Sequence, residues 1–136
     1  MTKREELPKT RMGVCRKFKI NRAPEHCPIC GKDIPRGQLK MWVTINTFAD
    51  GRPGEMFIKA DNHAMIGGAL DAAAIAVSMA LQNGVSFRSL MEKWVGLRFE
   101  PSGVTGDPEF PFVASPLDYI AKWALAKFGT IKEKKR

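Results

Sequence analysis

The sequence predicts an α+β fold: a three-stranded antiparallel sheet packed by about three helices, with a Cys-containing loop between the first two strands. Three observations carry this. Leu39, Met41, Val43 and Ile45 alternate with Lys40, Trp42, Thr44 and Asn46, the period of a half-buried strand. Ala49 to Gly54 is dense in chain-reversing residues and Glu55–Lys59 resumes a β pattern, so the two runs pair as a hairpin. From Ala64 to Leu81 the chain is Gly, Ala, Met, Ile, Leu and Val, broken only by Asp71 and Ser78. Such a helix is apolar almost all the way round and calls for cover on several sides.

The remaining elements follow in order. Residues 1–12 read as a basic extended arm, with Leu7-Pro8 disfavouring helix. Val14–Ile20 alternates Val14, Arg16, Phe18 and Ile20 with Cys15, Lys17 and Lys19, a first strand with a basic face. Residues 21–38 hold three Pro, two Gly and two Cys, a long loop of the kind that is functional or tied down. After the long helix, Asn83-Gly84 is a helix stop. Ser86 caps a second helix with Phe87, Leu90, Met91, Trp94 and Val95 on one stripe, ended by Gly96. Leu97–Gly103 alternates briefly, and Val104–Ala114 reads as an ordered loop. Ser115-Pro116-Leu117-Asp118 opens a third helix that runs to Phe128 and stops at Gly129. Residues 13–129 thus form the domain, and 130–136 a basic tail.

With 136 residues, 44% of them hydrophobic and 26% charged, the chain has the size and composition of one globular domain. The charged N-terminus does not read as a secretory leader. Asp71, two Gly and many Ala make the long apolar run a poor membrane span, so no membrane partner is expected. Three cysteines do not make a disulfide scaffold, and a reducing cytoplasmic location fits them.

The net charge of +8 is uneven. Residues 1–22 carry eight Lys/Arg against two Glu, and residues 130–136 four against one, whereas residues 23–129 carry ten basic and eleven acidic residues. Basic ends on a neutral globule read as solubilising tails, or as arms that reach phosphate on a nucleotide, a nucleic acid or a partner.

Cys27-Pro28-Ile29-Cys30-Gly31 has the form of a zinc knuckle. Structural zinc takes four ligands, and one knuckle supplies two; Cys15, His26 and His63 are the candidates to complete it. A reduced surface pair, or a site completed by a second subunit, are the other readings. A redox motif is disfavoured, because such a pair normally opens a helix. The sequence has no nucleophile elbow, HExxH or P-loop. Arg98 and Glu100 share one side of an extended segment, a salt-bridged pair or part of a site. Asp71 on its apolar helix needs a partner, with Arg98, Arg52 or an arm arginine available, or else faces a solvent channel. Gly67 and Gly68 admit close packing, a ligand or a neighbouring subunit.

Several motifs also occur in a recognisable order: Leu7-Pro8-Lys9-Thr10-Arg11, Asp50–Ile58, Ser78–Val85, Arg98–Gly103 and Ser115–Ile120. Across roughly residues 4–128 the chain resembles the TSCPD domain found toward the C-terminus of adenosylcobalamin-dependent (class II) ribonucleotide reductases. It departs from that pattern in the Cys27/Cys30 insert and at Asp61-Asn62-His63-Ala64. The resemblance implies an accessory or split-off piece of the reductase, linked to deoxyribonucleotide synthesis, docking to a reductase subunit or to itself. The catalytic barrel and its cobalamin site are not expected in this chain, and no catalytic residue carries over.

The residues themselves also support an oligomeric nucleotide- or phosphate-binding protein, with Arg11, Arg52, Asp71, Arg98 and Glu100 as its ligand set. Nonspecific nucleic-acid binding through the basic ends is a third reading. Sequence-selective binding is not expected, because no aromatic platform stands among the basic residues along the chain. A homo-oligomer is expected, because the long helix offers more apolar surface than the other elements cover.

Overall fold

The structure is a computed structural model that describes residues 4–21, 25–34, 37–61 and 64–129. The candidate ligand His63, the Asn62-His63 start of the long helix and the basic tail 130–136 lie outside these residues. The elements run β1 (Gly13–Asn21), β2 (Glu25–His26), β3 (Asp33–Ile34), β4 (Gln38–Thr47), β5 (Pro53–Ala60), α1 (Ala64–Gln82), α2 (Phe87–Trp94), β6 (Gly103–Val104), β7 (Phe112–Val113) and α3 (Pro116–Phe128).

The α+β fold has the expected three-stranded antiparallel sheet and three helices, with β4 in the centre in the order β1-β4-β5. Register pairs Phe18 with Met41 and Val43 with Ile58. Alternation then puts Phe18 and Ile20, Leu39 to Ile45 at every second residue, and Met56 and Ile58 on one buried face. The predicted long loop contains the β2–β3 ribbon, and the predicted 104–114 loop contains β7, paired with β6.

α3 crosses the buried face, where Tyr119 and Trp123 meet the Phe18 ring edge-on at 4.7 and 5.4 Å. Ser115 caps α3 by accepting from the Asp118 amide. The Asp118 carboxylate, fully buried, does not reach back to the cap residue. It accepts instead from Gly96 N–H and Ala114 N–H, both at 2.8 Å, and so ties the end of α2 to the start of α3. Burial pushes its pKa up, but these two amides and Lys122 outweigh burial and hold it below the usual carboxylate range.

α1 differs from expectation. It lies along β5 with Leu70, Ala74, Val77 and Leu81 in the core, and among the described residues it is covered on that side only. Its length and composition would suffice to cross a membrane, yet one face is part of the domain core. Gly67 faces Ala60 at van der Waals distance, whereas Gly68 faces open space.

Residues 4–12 form a strap across the β4–β5 turn. Glu5 N–H donates to Gln82 O, Arg4 reaches the Gln82 side chain, and Met12 O accepts from Thr47. Leu7 lies over Gly54 so closely that a Cβ there would stand 2.6 Å from it.

Candidate functional site

The five residues predicted to hold a phosphate ligand do not converge. Arg11 Nη1 donates to both oxygens of Glu55, at 2.5 and 2.6 Å, and Glu55 also accepts from Asn46. Arg52 spans Glu5 and Asp50, each at 2.6 Å, with its guanidinium over the Phe48 ring. Both arginines thus hold the strap down, their charge engaged by carboxylates of the same domain. Arg98 and Glu100 are exposed on the segment after α2. Asp71 is exposed on α1.

Two grooves lie among the described residues. One, of about 350 Å³, lies beside the strap between Arg4, Arg11, Glu55 and Gln82. The other, of about 510 Å³, runs between the outer face of the sheet and α1, lined by Trp42, Thr44, Phe57, Lys59, Gly67 and Asp71. Of the predicted ligand set, Asp71 alone borders it. Both fall within the range of small-ligand sites.

The register explains what lies beside the second groove. The outer face carries Cys15, Lys17 and Lys19 on β1, Lys40, Trp42 and Thr44 on β4, and Phe57 and Lys59 on β5. Lys17 and Lys59 flank Trp42 from opposite sides, and the Lys17 ammonium stands 5.3 Å from the Trp42 ring centre. Sequence reasoning placed Lys40 and Trp42 on one face but missed this cluster. Its signal was the lysines of the first strand, which become informative only once paired.

The second unassigned surface is on α1. Counting about 100° per residue, Met65, Gly68, Ala69, Ala72, Ile75, Ala76 and Met79 fill an arc of about 120° opposite the buried face. All are exposed, with Met65 at 88%, Ile75 at 54% and Met79 at 61%. The arc contains no charged residue.

The knuckle sits on the β2–β3 turn, with Gly31 at φ +73°. The N–H of Cys30, followed by that of Ile29, holds the Cys27 thiol below its ordinary value. Cys30 is exposed, and His26 faces Asp33 at 3.4 Å. Cys15 lies six residues back along β1 from Asn21, about 20 Å along an extended strand. The fold does not bring it to the knuckle. Among the described residues no three of His, Cys, Asp and Glu form a group that could hold a metal ion.

Elsewhere, Asp107 accepts from Arg16 at 2.7 Å and from Tyr119 Oη at 2.8 Å. Burial raises the Asp107 pKa, but these two donors and the Glu109 amide bring it down to about 2. Burial and the same carboxylate push Tyr119 up to about 12. With Arg16 held 4.7 Å from the Phe18 ring centre, this is a structural brace for the loop before β7.

Comparison with known proteins gives a consistent picture. The chain is 36% identical over 122 residues to a vitamin B12-dependent ribonucleotide reductase of Rhodopirellula baltica, covering 89% of this chain and 10% of that protein. It is 33% identical over 118 residues to one of Streptantibioticus cattleyicolor, covering 86% and 17%. To one of Bradyrhizobium diazoefficiens it is 32% identical over 124 residues, covering 88% and 8%. The chain thus spans between 8% and 17% of the length of these relatives. No solved structure matches it. The TSCPD domain matches residues 14–128, from the first strand to the last turn of α3, and the chain belongs to the TSCPD domain family.

Proposed function

We propose that this chain is a non-catalytic module of B12-dependent ribonucleotide reduction that docks onto the catalytic region of a reductase through α1. The observation that carries this reading is the uncharged exposed arc of α1. An apolar helix face laid in a groove is a recurring recognition mode. A groove also wraps an arc of about 120°, which a flat contact does not. The relatives are named as reductases and are at least about five times longer, so the partner surface belongs to the rest of such a protein. A cytoplasmic setting suits the reading and its three free cysteines. Titration of the chain into the catalytic region of a B12-dependent reductase, lacking its own matching segment, is the test.

A second reading, a homo-oligomer, has its own observation. The arc is symmetric about Ala72: Met65 mirrors Met79, Gly68 mirrors Ala76 and Ala69 mirrors Ile75. Two antiparallel copies crossed at Ala72 would set Met65 against Met79 at the ends and the small Gly68, Ala72 and Ala76 together at the crossing, in an isologous contact. A helix of 19 residues is about 28 Å long. One such contact falls short of the ~800 Å² per partner of a stable interface, which places this reading second. A second copy would also offer the knuckle two further thiolates, the count zinc needs. Light scattering tests it: a dimer with half a zinc per chain supports it, and a zinc-free monomer at micromolar concentration removes it.

A further inference from the structure

We propose that the outer face of the three-stranded sheet is a binding platform for single-stranded nucleic acid. This goes beyond the docking reading and uses a different face of the molecule. Trp42 and Phe57 stand on adjacent strands, offset by one step of the pleat, because Trp42 pairs with Lys59 and Thr44 with Phe57. Such diagonal neighbours lie roughly 7–8 Å apart, about twice the ~3.4 Å repeat of stacked bases. Each ring therefore has room for a base stacked against it. Phe57 is 53% exposed although it is a large aromatic residue on a strand, and Trp42 is half-buried beside it.

The charge on this face matches the ligand. Lys17, Lys40 and Lys59 flank Trp42 on three sides, Lys59 also neighbours Phe57 along β5, and Lys19 stands beside Lys40. Among the described residues none of the four forms an ion pair, in contrast to Arg11, Arg16 and Arg52. Stacking rings beside cations that no carboxylate neutralises is the arrangement that holds unpaired bases by their faces and the backbone by its phosphates. The lysines and the two rings together spread over roughly 10 Å across the strands and about 14 Å along them. That footprint suits a strand of a few nucleotides better than one mononucleotide. Asp71 confines the backbone to the lysine side, because the α1 wall of the groove repels phosphate.

The test is fluorescence anisotropy of labelled oligo(dT) with the full chain at low salt. Binding is expected. Trp42→Ala and Phe57→Ala should each weaken it roughly 5- to 150-fold, and Trp42→Phe, which keeps a ring, should restore most of it. Each of Lys17→Gln and Lys59→Gln should reduce the slope of log affinity against log salt by about 0.7. Trp42 and Phe57 lie outside the core, and unchanged circular dichroism of each variant separates lost binding from lost folding. No binding at low salt, equal affinity for duplex, equal affinity for dTMP alone, or indifference to Trp42→Ala would each overturn the proposal.

Discussion

The hydroxyl of Ser78 closes the free edge of the sheet at Met56. It accepts from the Met56 amide at 2.8 Å, and its one proton is shared between Met56 O at 3.0 Å and Ala74 O at 2.9 Å. An edge strand with open N–H and C=O groups is an aggregation hazard. Here a serine in an otherwise apolar helix satisfies them and sets the height of α1 along β5. Ser78→Ala leaves the amide and carbonyl half-buried without that partner, and should cost about 1–3 kcal/mol in urea unfolding. A loss under about 0.3 kcal/mol would mean that water replaces the hydroxyl freely.

Arg11 and Glu55 make the corresponding tie for the strap. The Glu55 side chain is 6% exposed and that of Arg11 37%, so the two partners are not equivalent. Arg11→Ala strands a buried carboxylate, whereas Glu55→Gln keeps the shape and releases a cation toward water. Arg11→Ala should destabilise the fold by about 1–2 kcal/mol more than Glu55→Gln. The reverse order would show that the strap contributes through the carboxylate's other donor, Asn46.

The Asp107 brace sets a pH dependence. The pKa of Asp107 is depressed to about 2, so its contribution is present above the unfolded value of about 3.9 and is lost as pH falls toward 2. Tyr119 is raised to about 12, so its contribution is full below about 10 and is lost as pH rises through 12. Asp107→Asn should flatten the acid limb of stability against pH between about 4 and 2 and lower the Tyr119 pKa. Denaturant midpoints measured across pH, with ultraviolet titration of the single tyrosine, check both.

Asp118 ties two helices with one buried carboxylate. Asp118→Asn offers one acceptor oxygen where Gly96 and Ala114 need two, so one amide is left unpaired. The expected cost is about 2–3 kcal/mol, with α2 loosened first. Hydrogen exchange at the Gly96 and Ala114 amides reads this directly, and unchanged protection at both would contradict it.

What the sequence made legible follows from period. Alternation in Val14–Ile20 and Leu39–Ile45 placed two strands to within a residue or two of β1 and β4. Ser86 and Ser115 marked the starts of α2 and α3 through local capping chemistry. Relations across the chain were not legible. Arg11 and Glu55 are 44 residues apart, so a basic arm that looked free is an ion-paired strap. The placement of Lys17 and Lys59 beside Trp42 depends on two registers that no single strand reveals. For α1, composition showed an apolar helix but not which side the sheet covers, because Met65, Ile75 and Met79 are as apolar as Leu70, Val77 and Leu81.

Docking through α1 is tested most directly by one titration, by calorimetry, of this chain into the catalytic region of a B12-dependent reductase. Saturable binding is expected from the unmodified chain, together with no ribonucleotide turnover by the chain alone in the presence of adenosylcobalamin and a thiol. Ala72→Glu, at the centre of the exposed arc, should abolish binding without unfolding the domain, since Ala72 touches solvent rather than core. No heat with the unmodified chain, or undiminished binding by Ala72→Glu, would contradict docking through α1.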